Sequence, residues 1–118
     1  MIDQTFAEHF AIDWIESWNS HELDRIVSHY SEDFEMSSPL IAQIAGEPSG
    51  TLKCKEAVGA YWAKVLALMP DLRFELVTTL VGANSITIYY RGARGMSAEI
   101  FHFDNVGKVV KAFAHYAV

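Results

Sequence analysis

Residues 96–116 read MSAEIFHFDNVGKVVKAFAHY, two strand-like arms around the turn Asp104-Asn105-Val106-Gly107. Alternate side chains of a strand point to opposite faces, so Phe101 and Phe103 share one face of the first arm while Ile100 and His102 share the other. Glu99 falls in step with the two phenylalanines, which points an acid at an apolar face. A carboxylate there is costly unless it finds a partner or a proton, and this makes Glu99 the first candidate for function. How the second arm faces depends on the turn. A two-residue loop at Asn105-Val106 sets Glu99 opposite Ala112, with Ala112, Ala114 and Tyr116 on its face. A bulge at Gly107 shifts the pairing by one residue and turns Phe113 and His115 inward instead.

Upstream, Ser85 to Arg91 alternates Ile86, Ile88 and Tyr90 with Thr87 and Tyr89, and Leu72 to Gly82 supplies its antiparallel partner across Ala83-Asn84. Gly92 to Gly95 is the turn into the 96–116 hairpin, so four antiparallel strands follow one another. Three helices precede them. From Ile2 to Trp18 every fourth residue is aromatic (Phe6, Phe10, Trp14, Trp18), with Asp3, Glu8, Asp13 and Glu16 on the wet side. Asn19-Ser20 interrupts, and Ser20 is a candidate N-cap for a second helix, His21 to Tyr30, burying Leu23, Ile26, Val27 and Tyr30. Ser31-Glu32-Asp33 reads as a turn, and Phe34, Met36 and Ser38 as a strand stopped by Pro39. Leu40 to Gly50 reads best as a short edge strand or a loop packed on the core, and otherwise as a flap over a ligand mouth. Thr51 to Met69 gives the third helix, with Val58, Tyr61, Trp62, Val65, Leu66 and Met69 on one side. Helices gathered on one face of a curved antiparallel sheet make an α+β domain, here a single one over residues 1–118, and the cone between them is a pocket if its walls are aromatic.

Composition points the same way. Hydrophobic residues make up 51% of the chain and the mean hydropathy is +0.11. The aromatics (Phe 7, Tyr 5, Trp 3) exceed what so small a core needs, which indicates a lined cavity or an oligomer interface. Charged residues interrupt every apolar run before membrane-spanning length, and MIDQTFAEHF has neither the basic start nor the apolar centre of a signal peptide. A single cysteine, Cys54, excludes an internal disulfide and suits a reducing compartment, so a cytoplasmic location is expected. Cys54 itself reads as an ordinary half-buried thiol, with activation at the start of the third helix as the alternative. A net charge of −6 opposes nucleic-acid binding. His9, His21, His29, His102 and His115 fall at no metal-ligand spacing, so no metal is expected.

WNSHELDRIVSHYSEDF (residues 18–34), then Ser38-Pro39, Gly50, the pair Tyr61-Trp62 and FHFDNVGKVV (101–110) together resemble the nuclear-transport-factor-2-like superfamily. Within it, the chain resembles the SnoaL-like polyketide cyclases and the Δ5-3-ketosteroid isomerases over nearly its whole length. The resemblance implies a cystatin-like α+β roll, a cone of three N-terminal helices packed on a curved, mainly antiparallel sheet. It does not imply one reaction, because isomerases, dehydratases, cyclases, epoxide hydrolases and binding modules share the fold. Carried across residue by residue, the isomerases' helix-1 tyrosine, an oxyanion donor, falls on Trp14. Their proton-shuttling aspartate falls on Ser38, their neutral second acid on Glu99, and their aromatic pair on Tyr61 and Trp62. Ser38 cannot act as a carboxylate base and Trp14 is a donor of different geometry, so ketosteroid isomerisation by that mechanism is not expected. The resemblance also turns Ala112, Ala114 and Tyr116 inward and His115 outward, with His115 as a base beside Glu99 the alternative.

The expected pocket is lined by Trp14, Phe34, Met36, Ser38, Tyr61, Trp62, Phe101 and Tyr116, with Glu99 as the candidate acid or base. The competing role for Glu99 is structural, paired with Tyr89, Trp14 or Ser38. These features describe a homodimeric domain, without a cofactor, that takes a small apolar or polycyclic ligand and, as an enzyme, moves a proton on an enolisable substrate. A non-catalytic carrier or sensor, and a dimeric interaction domain with a filled cone, are the alternatives.

Overall fold

The aromatic stripe becomes helix α1 (Gln4–Ser20). In the computed structural model, which describes residues 1–117, Phe10, Trp14 and Trp18 are buried while Glu8, Asp13 and Glu16 stay exposed. The helix runs two residues later than the stripe at each end because the caps set its limits. Asp3 accepts a hydrogen bond from the Phe6 N–H at 2.8 Å, satisfying one of the donors a helix start leaves free, and His21 closes the other end at φ 60.

The next segment differs from expectation. The second helix is short, α2 (Leu23–Val27), and Tyr30 already opens strand β1 (Tyr30–Ser37), so Ser31-Glu32-Asp33 lie in the strand and form no turn. Ile26, Tyr30 and Phe34 recur at intervals of four, which satisfies a helical stripe and one face of a strand equally well. Ser20 is not the N-cap. Glu22 holds that place without a side-chain cap, and Ser20 Oγ accepts from the Glu22 N–H at 3.1 Å.

Leu40 to Gly50 is not an edge strand. Ile41–Ala45 forms one π-helical turn, with Leu40 and Ile41 buried against the core. The edge strand comes afterwards, as β2 (Thr51–Lys53), which pairs antiparallel with β1 through Met36 and Leu52. The third helix, α3 (Lys55–Leu68), therefore begins later than the Thr51 expected. Cys54 lies between the two at φ 71 and is exposed, not half-buried.

The four remaining strands, β3 (Glu75–Val81), β4 (Ser85–Gly92), β5 (Gly95–Phe103) and β6 (Val109–Tyr116), form the expected meander. The six-stranded sheet has the order β2-β1-β6-β5-β4-β3, and every pair is antiparallel except β1 with β6. With the helices packed on its curved inner face, this is the α+β roll anticipated, its core formed by the inward faces of α1, α3 and the strands. No helix among the described residues is long and apolar enough to cross a membrane.

The hairpin register decides which side chains enter the cone. Glu99 lies opposite Ala114, not Ala112. Two one-residue displacements add to produce this. The turn closes over residues 105–107, with Asp104 N–H donating to Lys108 O at 2.8 Å and Gly107 at φ 84. The pairing then slips once more between Phe103–Val109 and His102–Lys111. A shift of one would reverse the faces of β6; a shift of two restores them. Ala112 and Ala114 are consequently buried on the Glu99 side, and His115 is exposed.

Candidate functional site

Sheet and helices enclose a cavity of about 60 Å³. Trp14 and Trp18 of α1 line it, facing Tyr61, Trp62, Val65 and Met69 at α3. Met36, Leu40, Leu72, Phe74 and Tyr90 extend the apolar wall, while Ser97, Glu99 and Tyr116 enter from β5 and β6. Gly92, Ala93 and Arg94 complete the lining at the β4–β5 turn, and Ala93 and Arg94 are exposed, which marks the mouth.

Glu99 is only 4% exposed. Burial alone pushes its pKa from 4.5 up to about 8; no neighbouring cation or donor pulls it back. At neutral pH most of the population therefore carries a neutral carboxyl, able to donate one hydrogen bond and accept another. The structural partners considered for it are occupied elsewhere. Tyr89 is on the exposed side of β4. Trp14 Nε1 donates to the Tyr30 hydroxyl at 3.0 Å, so its N–H is spent inside the wall. Ser38 Oγ accepts from the Leu40 N–H at 3.1 Å and lies 3.5 Å from the Tyr116 hydroxyl.

Four phenols feel the Glu99 charge, and three of them, Tyr61, Tyr90 and Tyr116, line the cavity. Burial pushes Tyr61 up to about 12, against the pull of a Ser38 hydrogen bond and with the Glu99 charge adding to the rise. Burial and then Glu99 push Tyr90 and Tyr116 higher still. All three remain O–H donors at neutral pH. Among the described residues, no group of three or more His, Cys, Asp or Glu is placed to hold a metal ion.

Of the residues singled out in the sequence, Trp14, Met36, Tyr61, Trp62, Glu99 and Tyr116 thus meet around one cavity. Ser38, Phe34 and Phe101 do not line it. Ser38 sits behind the wall, fixing the backbone after Pro39. Phe34 packs on the rings of Tyr30 and Trp62, with centroids 4.4 and 5.8 Å away. Phe101 shares the Glu99 face, but Phe10 and Trp14 plug that end of the cone, their centroids 5.0 and 5.3 Å from its own. His115 is outside, its Nδ1 3.2 Å from Phe113 O. Several wall residues escaped the sequence reading. Tyr90 and Ser97 were detectable, because each falls in step with inward residues of its own strand. Trp18 read as plain core, yet its Nε1 is buried without a hydrogen-bond partner, alone among the described side chains in this respect. Arg94, in a turn, carried no periodic signal.

A family model described as the SnoaL-like domain matches residues 11–112. The chain belongs to the SnoaL-like domain family. A SnoaL-like protein of unknown function from Burkholderia thailandensis E264 is 57% identical to this SnoaL-like domain, with a TM-score of 0.95 over 99% of this chain and 98% of that one. The fold is shared at far lower identity. A nuclear-transport-factor-2-like protein of unknown function from Cytophaga hutchinsonii ATCC 33406 is 11% identical, with a TM-score of 0.71 over 99% of this chain and 95% of that one. A proposed isomerase of the SnoaL-like family from Agrobacterium tumefaciens C58 is 14% identical, with a TM-score of 0.77 over 98% of this chain and 100% of that one. No curated protein matches the chain.

Proposed function

We propose that this SnoaL-like domain binds a small, largely apolar molecule through one oxygen, and that Glu99 carries a proton to or from it in cofactor-independent isomerase, cyclase or dehydratase chemistry. The supporting observation is a carboxyl on an apolar wall, without a hydrogen-bond partner among the described residues, whose pKa burial raises to about 8. A group so placed lowers stability unless a ligand uses it, and proton transfer is most efficient from an acid or base poised near the ambient pH. In its ionised form Glu99 takes a proton from the carbon next to a carbonyl and returns it to a second carbon, while Tyr61 or Tyr116 donates to the carbonyl oxygen. One carboxyl serves both halves of that shift, so no net proton is consumed.

The cavity limits the ligand. About 60 Å³ is well below the roughly 150 Å³ at which an apolar protein cavity admits benzene, so slim molecules enter as the walls stand. A second reading, a non-catalytic carrier, is favoured by one observation: among the described residues Glu99 is the only carboxyl in the lining, and by the resemblance Ser38 falls where the isomerases carry their base.

Pent-4-en-2-one, a slim β,γ-unsaturated ketone, separates the two. Conversion to the conjugated isomer, lost in Glu99→Gln while the variant still binds, though more weakly, is expected. Equal turnover by the variant removes Glu99 as the proton carrier. Saturable binding without turnover by either form makes the protein a carrier.

A further inference from the structure

One residue of the lining has no part in that chemistry. Arg94 occupies the two-residue turn between Gly92 and Gly95, which pair with each other across β4 and β5. It is exposed, yet it lines the cavity and among the described residues is the only cationic side chain that does so. Its Nη2 donates to Gln43 Oε1 at 3.3 Å, from the π-helical turn. It enters no ion pair among the described residues, although the chain carries 15 aspartates and glutamates.

The Arg94 charge is felt inside. It lowers the pKa of the Tyr61 and Tyr116 hydroxyls, two of the four that the Glu99 charge raises. The pair of phenols therefore lies between a cation at the mouth and an acid in the depth. Glu99 lies four residues along β5 from Gly95, about 13 Å between Cα atoms, and Arg94 stands just before that strand, in the turn. Between them the wall is aromatic and aliphatic.

We propose that the ligand is an anionic amphiphile: a slim apolar chain whose carbonyl or hydroxyl end lies deep, beside Glu99 and the Tyr61 and Tyr116 hydroxyls, and whose other end is a carboxylate met by the Arg94 guanidinium. This rests on Glu99 being the deep contact of the proposed function. A guanidinium fork matches a carboxylate in plane and charge, and on binding it exchanges one hydrogen bond to a neutral acceptor, the Gln43 amide oxygen, for a pair with an anion. A neutral Glu99 does not repel an anionic ligand, and a chain of methylenes in single file suits a narrow cavity better than fused rings do.

6-Oxoheptanoate and its methyl ester test this, with binding followed through the quenching of Trp14, Trp18 and Trp62, which all face the cavity. The acid is expected to bind about tenfold more tightly than the ester, the size of one partly desolvated charge-assisted interaction, with the preference shrinking as salt is added. Arg94→Gln should abolish the preference by weakening the acid to the level of the ester, and Arg94→Lys should keep part of it. Glu99→Gln should weaken acid and ester alike. Equal binding of acid and ester by the unaltered protein, still weakened by Glu99→Gln, overturns the carboxylate assignment and leaves the Glu99 site intact. Failure of both compounds to bind at millimolar concentration overturns the two together. A preference that survives Arg94→Gln places the anion elsewhere and overturns the role of Arg94.

Discussion

Replacing Glu99 by glutamine should stabilise the protein at neutral pH, and the gain should grow as the pH rises. The carboxyl has a folded pKa of about 8 against an ordinary value of 4.5, so between those values the folded chain holds a proton that the unfolded chain has lost. Stability falls with rising pH wherever the folded state binds more protons. The Glu99 contribution is therefore intact below pH 4.5, erodes through the window up to about 8, and is level above it. At 1.36 kcal/mol per unit the whole window corresponds to about 5 kcal/mol, of which about 3 kcal/mol falls between pH 5.5 and 9. Glutamine keeps the shape of the side chain and cannot titrate. Urea denaturation of both proteins across that range should show their stabilities diverging by this amount, all other titrating groups being common to the pair. Parallel profiles, agreeing within about 0.5 kcal/mol, would refute the reasoning: the carboxyl would then be solvated or paired, and its burial would not be what keeps it protonated.

Two further outcomes follow from local geometry. Gly107→Ala should cost about 1 kcal/mol in thermal unfolding, since Gly107 sits at φ 84 where a Cβ is strained; the added methyl meets only the Phe6 ring at 3.5 Å, so an unchanged melting temperature would show that the turn relaxes. Tyr30→Phe should cost about 1–3 kcal/mol in urea unfolding, because it leaves the Trp14 indole N–H buried without an acceptor, and a smaller loss would mean that Trp14 finds another partner.

The roll was legible because its main determinants are periodic. The stripe on α1 and the alternation on β4 and β5 are long enough to show a period, and Glu99 stood out for violating one. Where periods coincide, the sequence was ambiguous: Ile26, Tyr30 and Phe34 fit a helix and a strand alike, and tertiary pairing with β6 chose the strand. Thr51–Lys53 is too short to alternate, so β2 was absorbed into the helix that follows it. The facing of β6 came out as the resemblance implied, although the register differed, because two slips of one residue cancel in parity. The wall was legible only where it repeats. Tyr61, Trp62 and Tyr116 follow their elements, whereas Arg94 and Leu40 reach the cavity from connections, where only three-dimensional closure reveals a neighbour. Phe34 and Phe101 point inward as alternation requires, but how far along the cone they lie depends on what α1 places opposite them.

The parallel seam between β1 and β6 has a consequence for how the chain is made. β6 is inserted between β1 and β5, so Met36 must wait for Ala112 before it gains its neighbour on that side. On the ribosome, where residues appear at about 5–20 per second, α1, α2 and the β1–β2 pair emerge well before the strand that ties them to the β3–β5 meander. Contacts so distant along the chain slow folding, and until they form β1 offers an open edge to any other extended chain. The closing of that seam is the event that turns two separately pleated pieces into one sheet, and with it completes the wall on which Tyr116 stands.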